Sequence, residues 1–88
     1  MTVELTYTPR EGIQDLPASV VVTGNFDGWT QSVRMEYCSE RRVFAGMVEP
    51  GESEQLVFKF VVDGEWTTSA QYKVERDSSG NRNNVALA

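Results

Sequence analysis

The 88-residue sequence contains no histidine and a single cysteine, Cys38. The absence of histidine removes the side chain that most often serves as a general base or a zinc ligand. One thiol permits neither an internal disulfide nor a metal site built from cysteines. We therefore expect no catalytic centre of the common kinds, no metal site and no cofactor.

Clustered positive charge and long apolar runs are also scarce. Lys and Arg number 8 against 13 Asp and Glu, which gives a formal net charge of −5. The basic residues are dispersed, and this disfavours nucleic acid as a partner because phosphate binding relies on clustered Lys and Arg. No apolar run approaches the length of a membrane span, and the first residues lack a signal-peptide pattern. These features predict a cytoplasmic protein, or a piece of a longer one, that does not enter a membrane.

What the sequence does contain is alternation of apolar and polar residues in short segments bounded by Gly, Pro and Asp-Gly. The clearest inward-facing set lies within 55–63 and consists of Leu56, Phe58, Phe60 and Val62. Lys59 then falls on the opposite face of that strand. Further strands are predicted over 2–8, 19–23, 33–38, 43–48, 72–74 and 84–87. This pattern predicts an all-β fold, an antiparallel β-sandwich, with residues 1–88 forming a single domain.

Both tryptophans follow Asp-Gly turns, Trp29 in GNFDGW and Trp66 in VDGEW. Asp27 and Asp63 are interpreted as turn formers of type I′ geometry, since the dipeptide recurs in both turns. They resemble an acid–base pair only superficially, and we expect no enzyme activity. A single tryptophan beside a turn is more often a packing residue. The alternation of the strand over 55–63 also predicts that Lys59 and Trp66 share one surface.

Three segments in this order, VVVTGNFDGW, FKFVVDGEW and GNRNNV, resemble family 48 of the carbohydrate-binding modules. This family includes the glycogen-binding domain of the AMP-activated protein kinase beta subunit. The resemblance covers about residues 6–87 and implies an immunoglobulin-like (E-set) β-sandwich. It also implies a non-catalytic module that binds an α-1,4-glucan and targets a larger protein or complex to glycogen or a starch-like polymer. Kinase-complex subunits, or another protein, are the further partners that it implies.

The resemblance also implies the site residues. Trp29 and Trp66 correspond to the tryptophans that stack on glucose rings in the family. Lys59 and Asn83 correspond to side chains that hydrogen-bond sugar hydroxyls. Asn81 aligns with a threonine that bonds to sugar in the kinase subunit, and its amide can also form hydrogen bonds.

Two other functions stay open at the level of sequence. Ser79 stands where the kinase subunit has a leucine that passes through a glucan ring, and residues 67–77 diverge from that subunit. These features favour a structural or protein-interaction domain without sugar binding. The segment after Trp66 is more similar to a fungal branch of the family, the cruciform-DNA-binding-type proteins, which implies structured DNA as a third ligand. Arg41 and Arg42 lie in a predicted hairpin turn and are interpreted as solvated side chains.

Overall fold

The computed structural model of the chain describes residues 2–9 and 16–88, where regular secondary structure consists of strands alone. None of these residues belongs to a helix that could cross a membrane. Residues 1 and 10–15 of the predicted domain lie outside the described residues. The strands are β1 Val3–Tyr7, β2 Val20–Gly24, β3 Val33–Arg34, β4 Glu36–Cys38, β5 Val43–Val48, β6 Gln55–Val62, β7 Glu65–Thr67, β8 Lys73–Arg76 and β9 Arg82–Leu87.

The strands form two antiparallel sheets. The smaller sheet has the order β1-β5-β4, and the larger one has the order β3-β2-β6-β9-β8, with β7 pairing to β6. Every ladder between neighbouring strands is antiparallel. The prediction of an all-β, immunoglobulin-like sandwich is therefore confirmed.

The core lies between the sheets and is built from alternate residues of each strand. In β6, Leu56, Phe58 and Phe60 are completely buried, as their spacing predicts, and burial of each stabilises the fold by roughly 2–3 kcal/mol. Phe58 and Phe60 meet edge to face with ring centroids 5.6 Å apart, and Tyr72 closes on Phe58 at 5.1 Å. Val62, at the end of the predicted inward face, is only half-buried. The predicted inward face of β6 is thus the centre of the core, except at its last residue.

The strand predicted over 33–38 is in fact two strands, β3 and β4, which belong to different sheets. β3 pairs with β2 in the larger sheet, whereas β4 pairs with β5 in the smaller one. Met35 stands between them, with 4% of its surface exposed, and its N–H donates to the Val20 carbonyl oxygen at 2.8 Å. The chain crosses from one sheet to the other at Met35, whose side chain packs into the core between the sheets.

A short hairpin joins β6 to β7, a strand that the sequence pattern did not indicate. Val62 and Glu65 are register partners, so the loop consists of Asp63 and Gly64. Both have positive φ, 49° and 85°, as a type I′ turn requires. The Asp63 carboxylate also accepts two backbone N–H groups, from Ala18 at 2.8 Å and Ser19 at 2.9 Å. The interpretation of Asp63 as a turn former is confirmed.

Candidate functional site

The outer face of the larger sheet, which points away from the core, carries the residues of interest. Because Phe58 and Phe60 point inward, the residue between them must point outward. Lys59 is accordingly half-buried on the outer face, and Val57 shares that face two residues earlier. The sequence prediction for the orientation of Lys59 is confirmed.

Two strands flank the same edge of β6 and meet beside Lys59. β9 pairs with residues 55–58 of β6, and β7 pairs with residues 60–62. Directly opposed residues of neighbouring strands point to the same face. Trp66 is opposite Val61 and thus lies on the outer face, 48% exposed.

Asn83 reaches the outer face by the same rule. Val85 of β9 is opposite Val57 of β6, and Asn83 lies two residues before Val85, on the same face. Its side chain is 6% exposed. Trp66 and Asn83 therefore lie on either side of the Lys59 side chain, along the same edge of β6.

Trp29 reaches the outer face on the loop that follows β2, and Asp27 organises this loop. One carboxylate oxygen, Oδ1, accepts the N–H groups of Gly24 and Trp29, each at 3.0 Å. The other, Oδ2, accepts the N–H and the hydroxyl of Ser32, each at 3.1 Å. The buried Thr23 hydroxyl donates to both oxygens at 3.0 and 3.1 Å. A single carboxylate thus ties the end of β2 to the start of the chain leading to β3.

The interpretation of Asp27 as a type I′ turn former is wrong. Positive φ occurs at Gly28 (64°) and Trp29 (63°), not at Asp27, so the two Asp-Gly turns differ. The physical reason is that the Asp27 carboxylate bonds back to preceding and following N–H groups, as in an Asx turn. This shifts the left-handed residues one position along the chain. Asp27 therefore supports the loop through its side chain, whereas Asp63 also occupies a left-handed position.

Trp29 is a bulky residue in a backbone region that favours glycine. Its φ of 63° costs roughly 1–2 kcal/mol for a residue with a Cβ. Its N–H is held by both the Gly24 carbonyl oxygen at 3.0 Å and Asp27. The indole is 39% exposed. A strained and exposed tryptophan is a feature that points to function rather than to packing.

The charge state of Asp27 follows from its surroundings. Partial burial raises the pKa of the carboxyl, but the hydrogen bonds from Gly24, Ser32 and Thr23 together outweigh burial and hold this pKa below its ordinary value of 3.8. Asp27 is therefore ionised throughout the neutral range, which is the state that accepts these bonds.

A second carboxylate, Asp77, organises the loop between β8 and β9. Its Oδ1 accepts the N–H groups of Ser79 and Asn81, each at 2.9 Å. Its Oδ2 accepts from the Asn83 side-chain amide at 3.3 Å. The bond from the Asn81 N–H is the main cause that holds the pKa of the Asp77 carboxyl below its ordinary value. Asp77 thereby fixes both asparagines that the resemblance places in the site.

Sequence reasoning did not select Asp77, although a signal was present. The segment DSSGN combines an aspartate with Ser, Gly and Asn, which are typical of turns in which a side chain caps backbone N–H groups. Gly80 has a φ of 84° and its N–H donates to the Asp77 carbonyl oxygen at 3.0 Å. The pattern indicates a capped turn, and the strand register places that turn beside Lys59.

The structure brings all five predicted site residues to one open groove, here called the indole groove. Its volume is about 350 Å³. It is lined by Trp29, Lys59, Trp66, Asp77, Asn81 and Asn83. The groove therefore combines two exposed apolar planes with one cationic group, two amides and one carboxylate.

Two other polar features have structural explanations. Asn84 points inward and is fully buried; its Oδ1 accepts the Ser69 N–H and its Nδ2 donates to the Ser69 carbonyl oxygen, both at 2.8 Å. Arg41 is an exposed turn residue, as interpreted from the sequence, and it also forms a bidentate pair with Glu4, at 2.7 and 3.0 Å. Both groups of that pair are exposed, so it contributes little to stability.

The part of the chain described by the structure contains no group of three or more Cys, Asp and Glu side chains arranged to hold a metal ion. The indole groove is lined by indoles, amides and single charges. Such a set suits a neutral, hydroxyl-rich ligand with an apolar face.

Comparison with known proteins identifies the family. The sequence model of the family described as the glycogen recognition site of AMP-activated protein kinase matches residues 14–87. The chain belongs to this glycogen-recognition family. The matched range contains every residue of the indole groove. Membership supports a carbohydrate-binding and non-catalytic role.

Similar proteins are found in yeast. Signal transduction protein MDG1 of Saccharomyces cerevisiae (strain YJM789) is 33% identical over 69 residues, which are 76% of this chain and 19% of MDG1. Cruciform DNA-recognizing protein 1 of Saccharomyces cerevisiae (strain RM11-1a) is 33% identical over 70 residues, 77% of this chain and 15% of that protein. The chain thus spans less than a fifth of the length of either relative, and the similarity concerns the glycogen-recognition module.

Proposed function

We propose that this chain is a non-catalytic α-glucan-binding module that stacks glucose units on Trp29 and Trp66. The observation that carries the proposal is the indole groove: two half-exposed tryptophans from separate turns share it with Lys59. Membership of the glycogen-recognition family supports the choice of glycogen or a starch-like polymer as the ligand.

The chemistry of the groove suits a glucose polymer. A pyranose presents a face of C–H groups that packs on an indole and releases water there, and an indole loses little conformational entropy because two torsions fix it. Lys59, Asn81 and Asn83 supply N–H donors for sugar hydroxyls, and Asp77 supplies an acceptor. Two stacked rings with a few hydrogen bonds correspond to a dissociation constant in roughly the micromolar to millimolar range.

The backbone of Trp29 gives independent support. Glycine would relieve the positive φ of this position, and the Cβ of tryptophan maintains the strain. The Asp27 hydrogen bonds offset that cost by fixing the loop. A glucan platform explains why a large aromatic residue occupies this position.

The lining of the groove also supports a role without catalysis. Glycoside hydrolysis ordinarily uses two carboxyl groups about 5–9.5 Å apart. Among the lining residues that the structure describes, Asp77 is the one acidic side chain. Its carboxylate accepts backbone N–H bonds and its pKa is lowered, which makes it a poor proton donor. Binding, rather than cleavage, is what these residues support.

We further propose that the module retains a larger cytoplasmic protein or complex on the polymer. The chain is a small fraction of its relatives, as expected for one module of a longer protein. Weak binding is sufficient for such a role because a polymer presents many identical sites, and rebinding raises the effective affinity.

Native electrophoresis through gels that contain glycogen tests the proposal. We expect wild type to be retarded and both Trp29→Ala and Trp66→Ala to migrate as in a gel without glycogen. The matched control is Tyr37→Ala, since Tyr37 is 38% exposed and lies on the smaller sheet; its retardation should equal that of wild type. Thermal unfolding confirms that each variant is folded. Unretarded wild type, or equal retardation of wild type and Trp66→Ala, would overturn the proposal.

A further inference from the structure

A second groove lies on the outer face of the larger sheet, next to the indole groove, and is here called the valine groove. Its volume is about 110 Å³. Its own lining residues are Gln55, Val57, Glu75, Arg76 and Val85, and it shares Asp77 and Asn83 with the indole groove. The two grooves are therefore neighbours separated only by side chains that belong to both.

The strand register explains how the valine groove is placed. Val57 and Val85 are cross-strand partners on β6 and β9. Val57 lies two residues before Lys59, and Val85 lies two residues after Asn83. Two residues along a strand correspond to about 6.6 Å. The valine pair therefore forms the next row of the same surface, one step beyond Lys59 and Asn83.

The chemistry of the valine groove repeats that of its neighbour in a weaker form. Val57 and Val85 provide an apolar floor in place of an indole, while Gln55 and Arg76 are exposed side chains that can bond to hydroxyls. Glu75 pairs with Lys73 at 3.2 Å and lies opposite Asn83 in the β8–β9 ladder. An apolar floor with polar walls suits a sugar ring that lies flat on the sheet.

We infer that the valine groove is a second subsite, which receives the glucose units of a linear α-glucan that extend beyond the tryptophan pair. This inference rests on the proposed function of the indole groove. Asn83 and Asp77 connect the two grooves. A glucan that extends from Lys59 along β9 passes over both side chains before it reaches Val85. The site as a whole then selects long linear segments over short ones.

Calorimetric titration of the 88-residue chain with maltotriose and with maltoheptaose tests the inference. We expect Val57→Gln to weaken maltoheptaose binding by about threefold to tenfold, which corresponds to the loss of one apolar contact surface, and to leave maltotriose binding unchanged. The matched control is Val43→Gln, because Val43 is a half-buried residue of β5 on the smaller sheet. Thermal unfolding of both variants excludes a loss of fold.

Methyl chemical shifts of wild type give a readout that needs no variant. Maltoheptaose should shift the methyl signals of Val57 and Val85, whereas maltotriose should shift only signals around the tryptophans. Equal affinity of wild type and Val57→Gln for maltoheptaose, or unshifted valine methyls at saturation, would overturn the second subsite while leaving the indole groove intact. Failure of wild type to bind either sugar would instead refute the proposed function and, with it, this inference.

Discussion

Asp27 and Trp29 show how one carboxylate stabilises an otherwise unfavourable residue conformation. Asp27 accepts hydrogen bonds from four residues, among them the N–H of Trp29. Trp29 keeps a φ of 63°, a conformation that a residue with a Cβ avoids unless its surroundings impose it. The orientation of the exposed indole thus depends on a side chain two positions earlier.

Replacement of Asp27 by asparagine removes one of the two accepting oxygens and keeps the size of the side chain. We expect Asp27→Asn to lower the free energy of unfolding at pH 7 by about 1–2 kcal/mol, because an amide accepts at one atom where the carboxylate accepts at two. Urea unfolding followed by tryptophan fluorescence measures this difference. The control is Asp63→Asn, since Asp63 uses only Oδ1 for its two backbone bonds and an amide oxygen can replace it. Equal losses in both variants would contradict this interpretation of Asp27.

The effect of Asp27→Asn on stability should depend on pH. The pKa of Asp27 is lower in the folded state than its ordinary value of 3.8. Its contribution to stability is therefore fully present above that value and is lost as pH falls through the lower folded pKa. The stability difference between wild type and Asp27→Asn should shrink on acidification below pH 3.8. A difference that stays constant into strong acid would show that charge plays no part.

At the scale of the strand, Gly24 sets how closely β2 approaches β6. Gly24 is opposite Phe58, and a Cβ built on it would lie 2.2 Å from the Val57 carbonyl oxygen and 2.9 Å from the Phe58 Cα. These are backbone atoms of a central strand, which cannot move without disturbing the core. The loop that carries Trp29 begins at this residue, so the close approach also fixes the position of the groove.

We expect Gly24→Ala to destabilise the fold by about 3 kcal/mol, because β2 and β6 must separate. For a domain of this size that corresponds to a fall of roughly 12–24 °C in the melting temperature. The matched control is Gly46→Ala: Gly46 is also a buried strand glycine, but its added Cβ would meet the flexible Met35 Cγ at 3.2 Å. Calorimetry measures the melting temperatures of the two variants. An equally large fall in the melting temperature of Gly46→Ala would contradict the role of Gly24 in the close approach of β2 to β6.

The elements also show what a sequence can and cannot indicate. Alternation in β6 was sufficient to direct Lys59 outward, because a side chain on a strand has only two faces to choose from. The break at Met35 was not predictable, because both segments around it have strand propensity and only tertiary contacts decide which sheet each one joins. β7 was missed because three residues are too short to show a period.

The candidate site divides in a similar way. The two indoles, Lys59 and the asparagines were identified through motifs, and the structure places them in one groove. The supporting carboxylates were harder to recognise. Asp27 and Asp63 stand in the same dipeptide but have different geometry, because the Asp27 carboxylate accepts N–H groups of its own loop whereas that of Asp63 accepts N–H groups far away in the sequence. Asp77 became identifiable only when the register of β8 and β9 placed its loop beside Lys59.

At the scale of the whole molecule, net charge distinguishes a neutral glucan from structured DNA as a ligand. The chain carries 13 acidic and 8 basic residues, and the indole groove itself holds one of each sign, Asp77 and Lys59. A neutral glucan meets no long-range repulsion from this distribution. A DNA junction meets a negative surface, and binding to it would depend on counterion release.

Salt therefore provides a test of the whole surface. We expect retardation by glycogen to stay constant between about 50 and 200 mM salt, because stacking and hydrogen bonds to a neutral sugar release no counterions. A four-way DNA junction should show no gel shift at about 200 mM salt, since any electrostatic contact weakens steeply over this range. Lys59→Gln serves as the control: it removes a cation, and its effect on glycogen binding should be the same at both concentrations. A junction complex that survives the higher salt would contradict the exclusion of DNA as a ligand. Glycogen retardation that disappears at the higher salt would contradict binding through stacking and hydrogen bonds to a neutral sugar.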